Sequence, residues 1–505
     1  MSKTIFVRTL SVLFLSGLTM PGLAQSPVDL PALVLERDQI TVSGISSGAY
    51  MAVQFGTAHS SAVRGVAATA GGPYFCAGRD SWAGAAVSRV IARCMQGDPD
   101  YPVRPISAAD LDTMTAATRA WSARGLIDDV AHLATQRIWL FHGYNDGIVK
   151  RPVGDALQAW YAAFVPAEQV FYKNELRAAH AQISASCPLE QGSSCNPCST
   201  TGSNFINVCT DGPAPAPVYD AAGAALQFFY GPLTRTVGAL SGQMLEYDQT
   251  PYVQRAGKPL TPIRASMADR GYVYVPAACA AGEPCRLHIA FHGCQQQAGR
   301  VGRAFVDHAG LNEWADGNRI VVLYPQAEAT VAVPITPFNP QGCWDWWGYN
   351  DYAFDMTGRY ATRDGLQIAA VWRMVERLAG GGEGRVQAGA PVLQARLIDR
   401  SATQAALAWT PVDGAQGYRV YRADAGGTPV LRATVEGYSW ADGALMPQTR
   451  YRYEVHTIDA QGREGAAVAL ELETAAAAPE CDPYFSLAKD TVVDARGRPT
   501  SQVCP

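Results

Sequence analysis

Ser46 stands between two glycines in "ITVSGISSGAYMA", residues 40–52, and a G-x-S-x-G spacing is one way in which a chain turns an ordinary hydroxyl into a nucleophile. A chain with 48 glycines produces the pattern by chance, so context has to decide. Ile40, Thr41 and Val42 are β-branched and suit a strand, whereas residues 48–58 hold good helix formers and no proline. The stretch reads as strand, sharp turn, helix. Such a turn strains the backbone at Ser46 so that its hydroxyl projects above a sheet, and Gly44 and Gly48 leave room for strand and helix to approach.

A serine nucleophile needs a base for its proton and an acid to orient that base, and only eight histidines are available. "QRIWLFHGYNDGIV", residues 136–149, reads as a strand over 137–141 and a loop that presents Asp146. The next strand-like run, "QVFY" at 169–172, leads to a loop with "RAAHAQ" that carries His180. Ser46, Asp146 and His180 thus each follow a strand, in the order serine, acid, histidine of an α/β-hydrolase. The strand with an "HG" turn, which should precede the nucleophile, comes after it. "RLHIAFHGCQQQ", 286–297, ends a strand in His292, Gly293 and Cys294, and is followed by a helix, the strand "RIVVLYPQA" at 319–327 and an amphipathic segment over 364–378. That order is what a circular permutation of the fold gives. The backbone N–H groups of Ser47 and Cys294 become the expected oxyanion donors.

The elements that position these residues sit in a long exported chain. Lys3 and Arg8 precede an apolar stretch to Leu23, and "GLA" at 22–24 resembles a signal-peptidase site, so residues 1–24 are expected to be a signal peptide. An anchoring helix fails on length, and no later segment is long and apolar enough to span a bilayer. Twelve cysteines in an exported chain favour disulfides, with Cys279–Cys285 and Cys481–Cys504 as local pairs. "CNPC" at 195–198 has metal-ligand spacing but no second pair, and no metal or other cofactor is expected. A net charge of −5 without a Lys/Arg tract points away from nucleic acid and anionic membranes and toward an uncharged or weakly charged substrate. A monomer is expected.

Residues 25–380 alternate strand-like and helix-like runs, which implies one large α/β domain. Residues 381–390 form a glycine-rich linker. Over 391–475 the texture becomes short alternating strands. The spacing of Trp409, Tyr418, Tyr421, Leu445, Pro447, Tyr451 and Tyr453 there resembles a fibronectin type III sandwich. A tail over 476–505 follows.

"GISSGAYMA", "HGYNDGIV", "AAH", "FHGCQQ" and "GCWDWWGY" together resemble the motifs of secreted polyhydroxybutyrate depolymerases, in the circularly permuted group with an N-terminal lipase box. The likeness covers roughly residues 36–380. It implies Ser46, Asp146 and His180 as the triad, Ser47 and Cys294 as oxyanion donors, and hydrolysis of poly- or oligo-(R)-3-hydroxybutyrate. It also implies that the fibronectin-like module is a linker. Where a larger substrate-binding domain is expected, this chain shows the short tail from Cys481. "CWDWWGYNDYAF", 343–354, offers Trp344, Trp346, Trp347 and Tyr349 as an aromatic crevice for a polyester, with burial in the core as the competing expectation. A bridge from Cys294 to Cys343 would tie that crevice to the oxyanion loop. A feruloyl or acetyl esterase would keep the triad and change the crevice. A non-enzymatic adhesin is argued against by the full set of motifs.

Overall fold

Runs such as "IVVLY" at Ile320–Tyr324, buried at every residue, make strands that must be covered on both faces. The computed structural model describes residues 27–477 apart from 79–86, 98–102, 188–194, 203, 213–215, 332–336, 352–357, 385–392 and 425. The expected signal peptide and the expected Cys481–Cys504 bridge lie outside the described residues. An eight-stranded sheet forms the centre. On one side of it β1 (Ile40–Ile45), β2 (Val63–Thr69), β3 (Arg137–Phe141) and β4 (Val170–Lys173) lie in parallel, with β4 at the edge.

On its other side β1 pairs in parallel with Arg286–Phe291, the strand of the "HG" turn. Ile320–Tyr324 comes next, again parallel, and Arg270–Val275 and Gln243–Asp248 close the sheet antiparallel. The chain therefore enters the sheet in its middle, runs outward to β4, and returns at the far edge to build the other half, where Ile320–Tyr324 enters last between Arg286–Phe291 and Arg270–Val275. This is the circularly permuted α/β-hydrolase arrangement. One helix on the sheet, α1 (Ser47–Ala58), is buried along its whole length.

The junction between the two halves is made by side chains as well as backbone. His288, opposite Thr41 in the register, places Nδ1 2.7 Å from Thr41 Oγ1 and Nε2 2.8 Å from Ser43 Oγ. The second half thus holds the strand that leads to Ser46.

Residues 395–473 fold as a two-sheet sandwich. Ala395–Arg400, Ala405–Trp409 and Ser439–Asp442 make one sheet; Val430–Val435, Gly417–Asp424, Arg450–Ile458 and Glu464–Glu473 make the other. Trp409, Tyr418, Leu445, Tyr451 and Tyr453 fill the space between them, whereas Tyr421 faces outward to Glu464. The fibronectin type III reading holds in architecture.

Five disulfides lie among the described residues: Cys76–Cys94, Cys187–Cys195, Cys198–Cys209, Cys279–Cys285 and Cys294–Cys343. The two "CNPC" cysteines therefore serve different bridges. No described helix is long and apolar enough to cross a membrane.

Three buried histidines make stability depend on pH. Burial pushes His288 down to about 3 and His292 to about 4, the latter against a bond to the Gly293 carbonyl. Burial also pushes His59, stacked on Trp372, down to about 3, against the charge of Asp128. The unfolded chain binds these protons near pH 6.5, and the folded chain does not until pH 3–4. The associated stability is complete above about pH 6.5 and erodes as pH falls toward 4, by up to ~1.4 kcal/mol per unit for each histidine. Urea midpoints should drop steadily from pH 7 to pH 4.5 at unchanged slope; a flat series would show that these rings protonate without cost.

Candidate active site

Ser46 adopts φ 57° and ψ −124°, a conformation that costs a non-glycine residue ~1–3 kcal/mol and persists only when its surroundings enforce it. The enforcement is visible. Ser46 N–H donates to the Thr69 carbonyl at the end of β2 (2.9 Å), and the Ser46 carbonyl accepts from Ala49 N–H (2.9 Å) and Tyr50 N–H (3.1 Å). A Cβ on Gly44 would lie 2.1 Å from the Gly48 carbonyl oxygen, and one on Gly48 would lie 2.2 Å from that of Phe291. Only glycine at both positions lets β1, α1 and the "HG" strand meet, so the spacing in the sequence is a packing requirement of this turn.

Asp146 and His180 sit on loops after β3 and β4, at the same edge of the sheet as Ser46. The loops are joined by backbone bonds, Tyr144 N–H to the Leu176 carbonyl (2.8 Å) and Asn145 N–H to the Ala178 carbonyl (3.1 Å). His180 Nδ1 lies 2.7 Å from Asp146 Oδ2, while Asp146 Oδ1 accepts from Ile148 N–H and Val149 N–H, both at 2.9 Å. Both side chains are buried. Burial pushes the Asp146 carboxyl up, but the charge and hydrogen bond of His180, then His142 and the Ile148 N–H, bring it below the ordinary carboxylate value. An ionised Asp146 fixes the proton on Nδ1 and leaves the His180 Nε2 lone pair free to act as a base.

His142 was not singled out by the sequence. Its Nε2–H donates to the Val149 carbonyl (2.7 Å), closing the loop around Asp146, and burial lowers its pKa against the pull of the Asp146 charge.

The "HG" turn lies against the nucleophile: a Cβ on Gly293 would come within 3.4 Å of Ser46 Cβ. Its shape is set by Gln296, which lies within the "FHGCQQ" motif. Gln296 Oε1 accepts from Gly293 N–H (2.7 Å), and its Nε2 donates to the carbonyls of Asn204 (2.8 Å) and Phe205 (3.0 Å). The Phe205 ring in turn meets His180 edge-on, so oxyanion loop and histidine share a neighbour. His292 takes no part in proton transfer here. Its Nδ1–H donates to the Gly293 carbonyl and its Nε2 accepts from Ala327 N–H (3.1 Å). Among the described residues, neither the Ser47 nor the Cys294 backbone N–H has a protein acceptor. Two such donors beside the half-buried Ser46 can hold a developing oxyanion.

The tryptophan-rich segment is divided by burial. Trp344 is fully buried edge-on to Phe291, and its backbone N–H donates to Ser47 Oγ (3.3 Å). Trp346 is buried in a stack on Tyr50 at 3.9 Å. Both are core, which corrects their expected place in a crevice. Tyr349 spends its hydroxyl inward, donating to the Cys343 carbonyl (2.6 Å) and accepting from Gln367 Nε2 (3.1 Å). Trp347 alone of the three tryptophans is partly exposed, resting edge-on against Trp346 and Tyr349. The loop that presents it is folded around Asp345, whose carboxylate accepts from the N–H groups of Gly348 (2.8 Å), Tyr349 (3.1 Å) and Asn350 (3.0 Å). Periodicity gave no means of separating these rings, because a loop has none.

The Cys294–Cys343 bridge joins this loop to the oxyanion turn across a sequence separation of 49. The double variant Cys294→Ser/Cys343→Ser should lose ~2–4 kcal/mol of stability. It should also lose roughly tenfold in kcat on a p-nitrophenyl ester, a fraction of the hundredfold or more that one oxyanion donor supplies. Unchanged turnover with lowered Tm would make the bridge a staple only.

No family model matches the chain. Among curated proteins, a poly(3-hydroxybutyrate) depolymerase of Delftia acidovorans is 34% identical over 473 residues, 92% of this chain and 85% of its own length. A polyhydroxybutyrate depolymerase of Talaromyces funiculosus is 34% identical over 364 residues, 70% of this chain and 94% of its own. A solved PHB depolymerase complexed with an R3HB trimer has TM-score 0.57 and 32% identity, covering 70% of this chain and 100% of that chain. The crystal structure of PHB depolymerase from Penicillium funiculosum gives the same values. With the fold permuted as described, and with this likeness extending over most of its length, the chain belongs to the poly(3-hydroxybutyrate) depolymerase family of serine ester hydrolases.

Proposed function

We propose that this protein is an exported serine esterase that cleaves poly- or oligo-(R)-3-hydroxybutyrate. The observation that carries the reading is the strained Ser46 at one sheet edge with the bonded His180–Asp146 pair and two backbone N–H groups that have no protein acceptor. Ser46 Oγ attacks the ester carbonyl as its proton passes to His180 Nε2. The oxygen that becomes negative is held by the N–H groups of Ser47 and Cys294. Collapse expels the 3-hydroxyl of the departing chain, which takes the proton from His180, and leaves an acyl-Ser46 ester. Water, deprotonated by His180, then releases the carboxylate. Asp146 stays ionised throughout and stabilises the imidazolium.

Substrate choice rests on Trp347, the ring available for apolar contact with methyl-bearing monomers, and on the names of the relatives. Export is supported by the N-terminal segment and by five disulfides, which persist in oxidising compartments.

Ser46→Ala should abolish ester hydrolysis in a protein of unchanged Tm; turnover above a trace would remove the nucleophile assignment. Asp146→Asn should cost on the order of 10⁴ in kcat by favouring the wrong histidine tautomer. Trp347→Ala should lower kcat/KM on a 3-hydroxybutyrate trimer ten- to a hundredfold, the equivalent of ~1–3 kcal/mol of lost apolar contact, and leave short p-nitrophenyl esters nearly untouched. Equal losses on both would make Trp347 structural. Activity on feruloyl or acetylated sugars with none on the trimer would favour the other esterase class.

A further inference from the structure

The edge strand of the catalytic sheet should be its weakest part, since an edge leaves N–H and C=O groups unpaired. Yet β4 is buried at all four of its residues. The sandwich covers it. Gln404 Oε1 accepts from Tyr172 N–H (2.9 Å), and Gln404 Nε2 donates to the Val170 carbonyl (3.4 Å). One side-chain amide thereby bonds residues i and i+2 of β4, as the N–H and C=O of one residue in a parallel ninth strand would.

The last residue of β4, Lys173, is fully buried, and its ammonium needs compensation. Nζ donates to the Arg400 carbonyl (2.6 Å) and lies 3.1 Å from Glu175, 3.1 Å from Asp211 and 3.7 Å from Asp399. Asp399 and Arg400 belong to the sandwich. A register shift between Leu397 and Asp399 interrupts the alternation of their strand beside the point where Asp399 faces the catalytic domain. There Asp399 Oδ2 accepts from Trp139 Nε1 of β3 (3.2 Å) and from the Tyr219 hydroxyl. Small residues let the surfaces close further: Ala406 and Ala441 of the sandwich pack into the same core as Trp139, Phe171 and Phe228. Ser439 Oγ donates to the Phe228 carbonyl (2.7 Å) at the end of the helix Ala221–Tyr230.

Lys173 is also where the loop to His180 begins. Its carbonyl accepts from His142 N–H (2.9 Å), the first of the backbone bonds that join the histidine loop to the Asp146 loop. Glu175, on that loop, bonds the same ammonium. We propose that the sandwich is a working wall of the catalytic domain and no detachable spacer, and that Asp399, acting through Lys173, is a positioning residue for the loop that carries His180. Nothing in Asp399 touches substrate. It sets where the base stands.

The proposal rests on His180 as the base, and its tests separate the two claims. In full-length protein, Asp399→Asn should lower kcat per titrated active site on a p-nitrophenyl ester roughly five- to fiftyfold with KM within twofold, because misplacing a base by a fraction of an ångström is costly while the crevice is untouched. Ser439→Ala, a loss at the same interface remote from Lys173, should lower Tm and leave kcat per site unchanged. Equal kcat in Asp399→Asn and the parent would overturn the positioning role. Should Asp399→Asn not accumulate as folded protein, Tyr219→Phe removes one donor to the carboxylate and should lower kcat about two- to fivefold; no change would count against the proposal. A protease site placed within residues 385–390 tests the wall directly. After cleavage the two fragments should co-elute with full activity. Separation with undiminished turnover would make the sandwich a spacer, a result that leaves the triad intact, whereas turnover by Ser46→Ala would remove the triad and leave co-elution standing.

Discussion

Three backbones converge at Ser46 more closely than any side chain allows. A methyl group on Gly44 or Gly48 would sit about 2 Å from a carbonyl oxygen, well inside contact. From that approach the rest of the site follows. It sets the N-terminus of α1 directly after Ser46 and brings the "HG" strand against the turn, which places Ser47 and Cys294 where the proposed oxyanion donors would have to be. The permutation matters less than it looks. What the chemistry needs is β1 beside Arg286–Phe291 in the sheet, and hydrogen bonding secures this whichever half of the chain is made first.

The sharp turn at Ser46 and the loops that bring Asp146 to His180 were legible because each is a short signal with its own local physics: a glycine pair around a serine, or a polar residue just beyond a strand. The permutation was legible from the place of the "HG" strand after the elbow, whereas the two antiparallel strands Gln243–Asp248 and Arg270–Val275 were not. The division of the aromatic rings between core and surface was not legible. Trp344, Trp346, Trp347 and Tyr349 have similar chemistry and lie in one loop, and their division depends on what packs beneath them: Phe291, Tyr50 and a carboxylate at Asp345 that gathers three N–H groups. Such partners come from distant parts of the chain. Three of the five bridges were equally unreadable, because spacing does not reveal which cysteines a fold brings together.

Rigidity around the site comes from sharing. Phe205 touches both the histidine and, through its carbonyl, the glutamine that shapes the oxyanion turn. Cys343 anchors the aromatic loop to that same turn, and Trp344 donates to Ser47. Donor, base and grip are thus supported on common residues, so a disturbance in one is felt in all. For acyl transfer this is useful, since preorganised donors act without reorganisation when charge develops.

The sandwich extends that logic beyond the catalytic domain. Its texture in the sequence announced a separate module, and modules of this kind are read as spacers because their own cores are complete. Completeness of a core does not settle what its outer face does. Here the outer face carries alanines where bulk would hold the domains apart, a glutamine that imitates a strand, and a carboxylate beside a register shift. The buried Lys173 ammonium is compensated from both sides, by Glu175 and Asp211 of the catalytic domain and by Asp399 and the Arg400 carbonyl of the sandwich. With Asp399 in the proposed positioning role, function in this chain would be distributed by contact and not by domain.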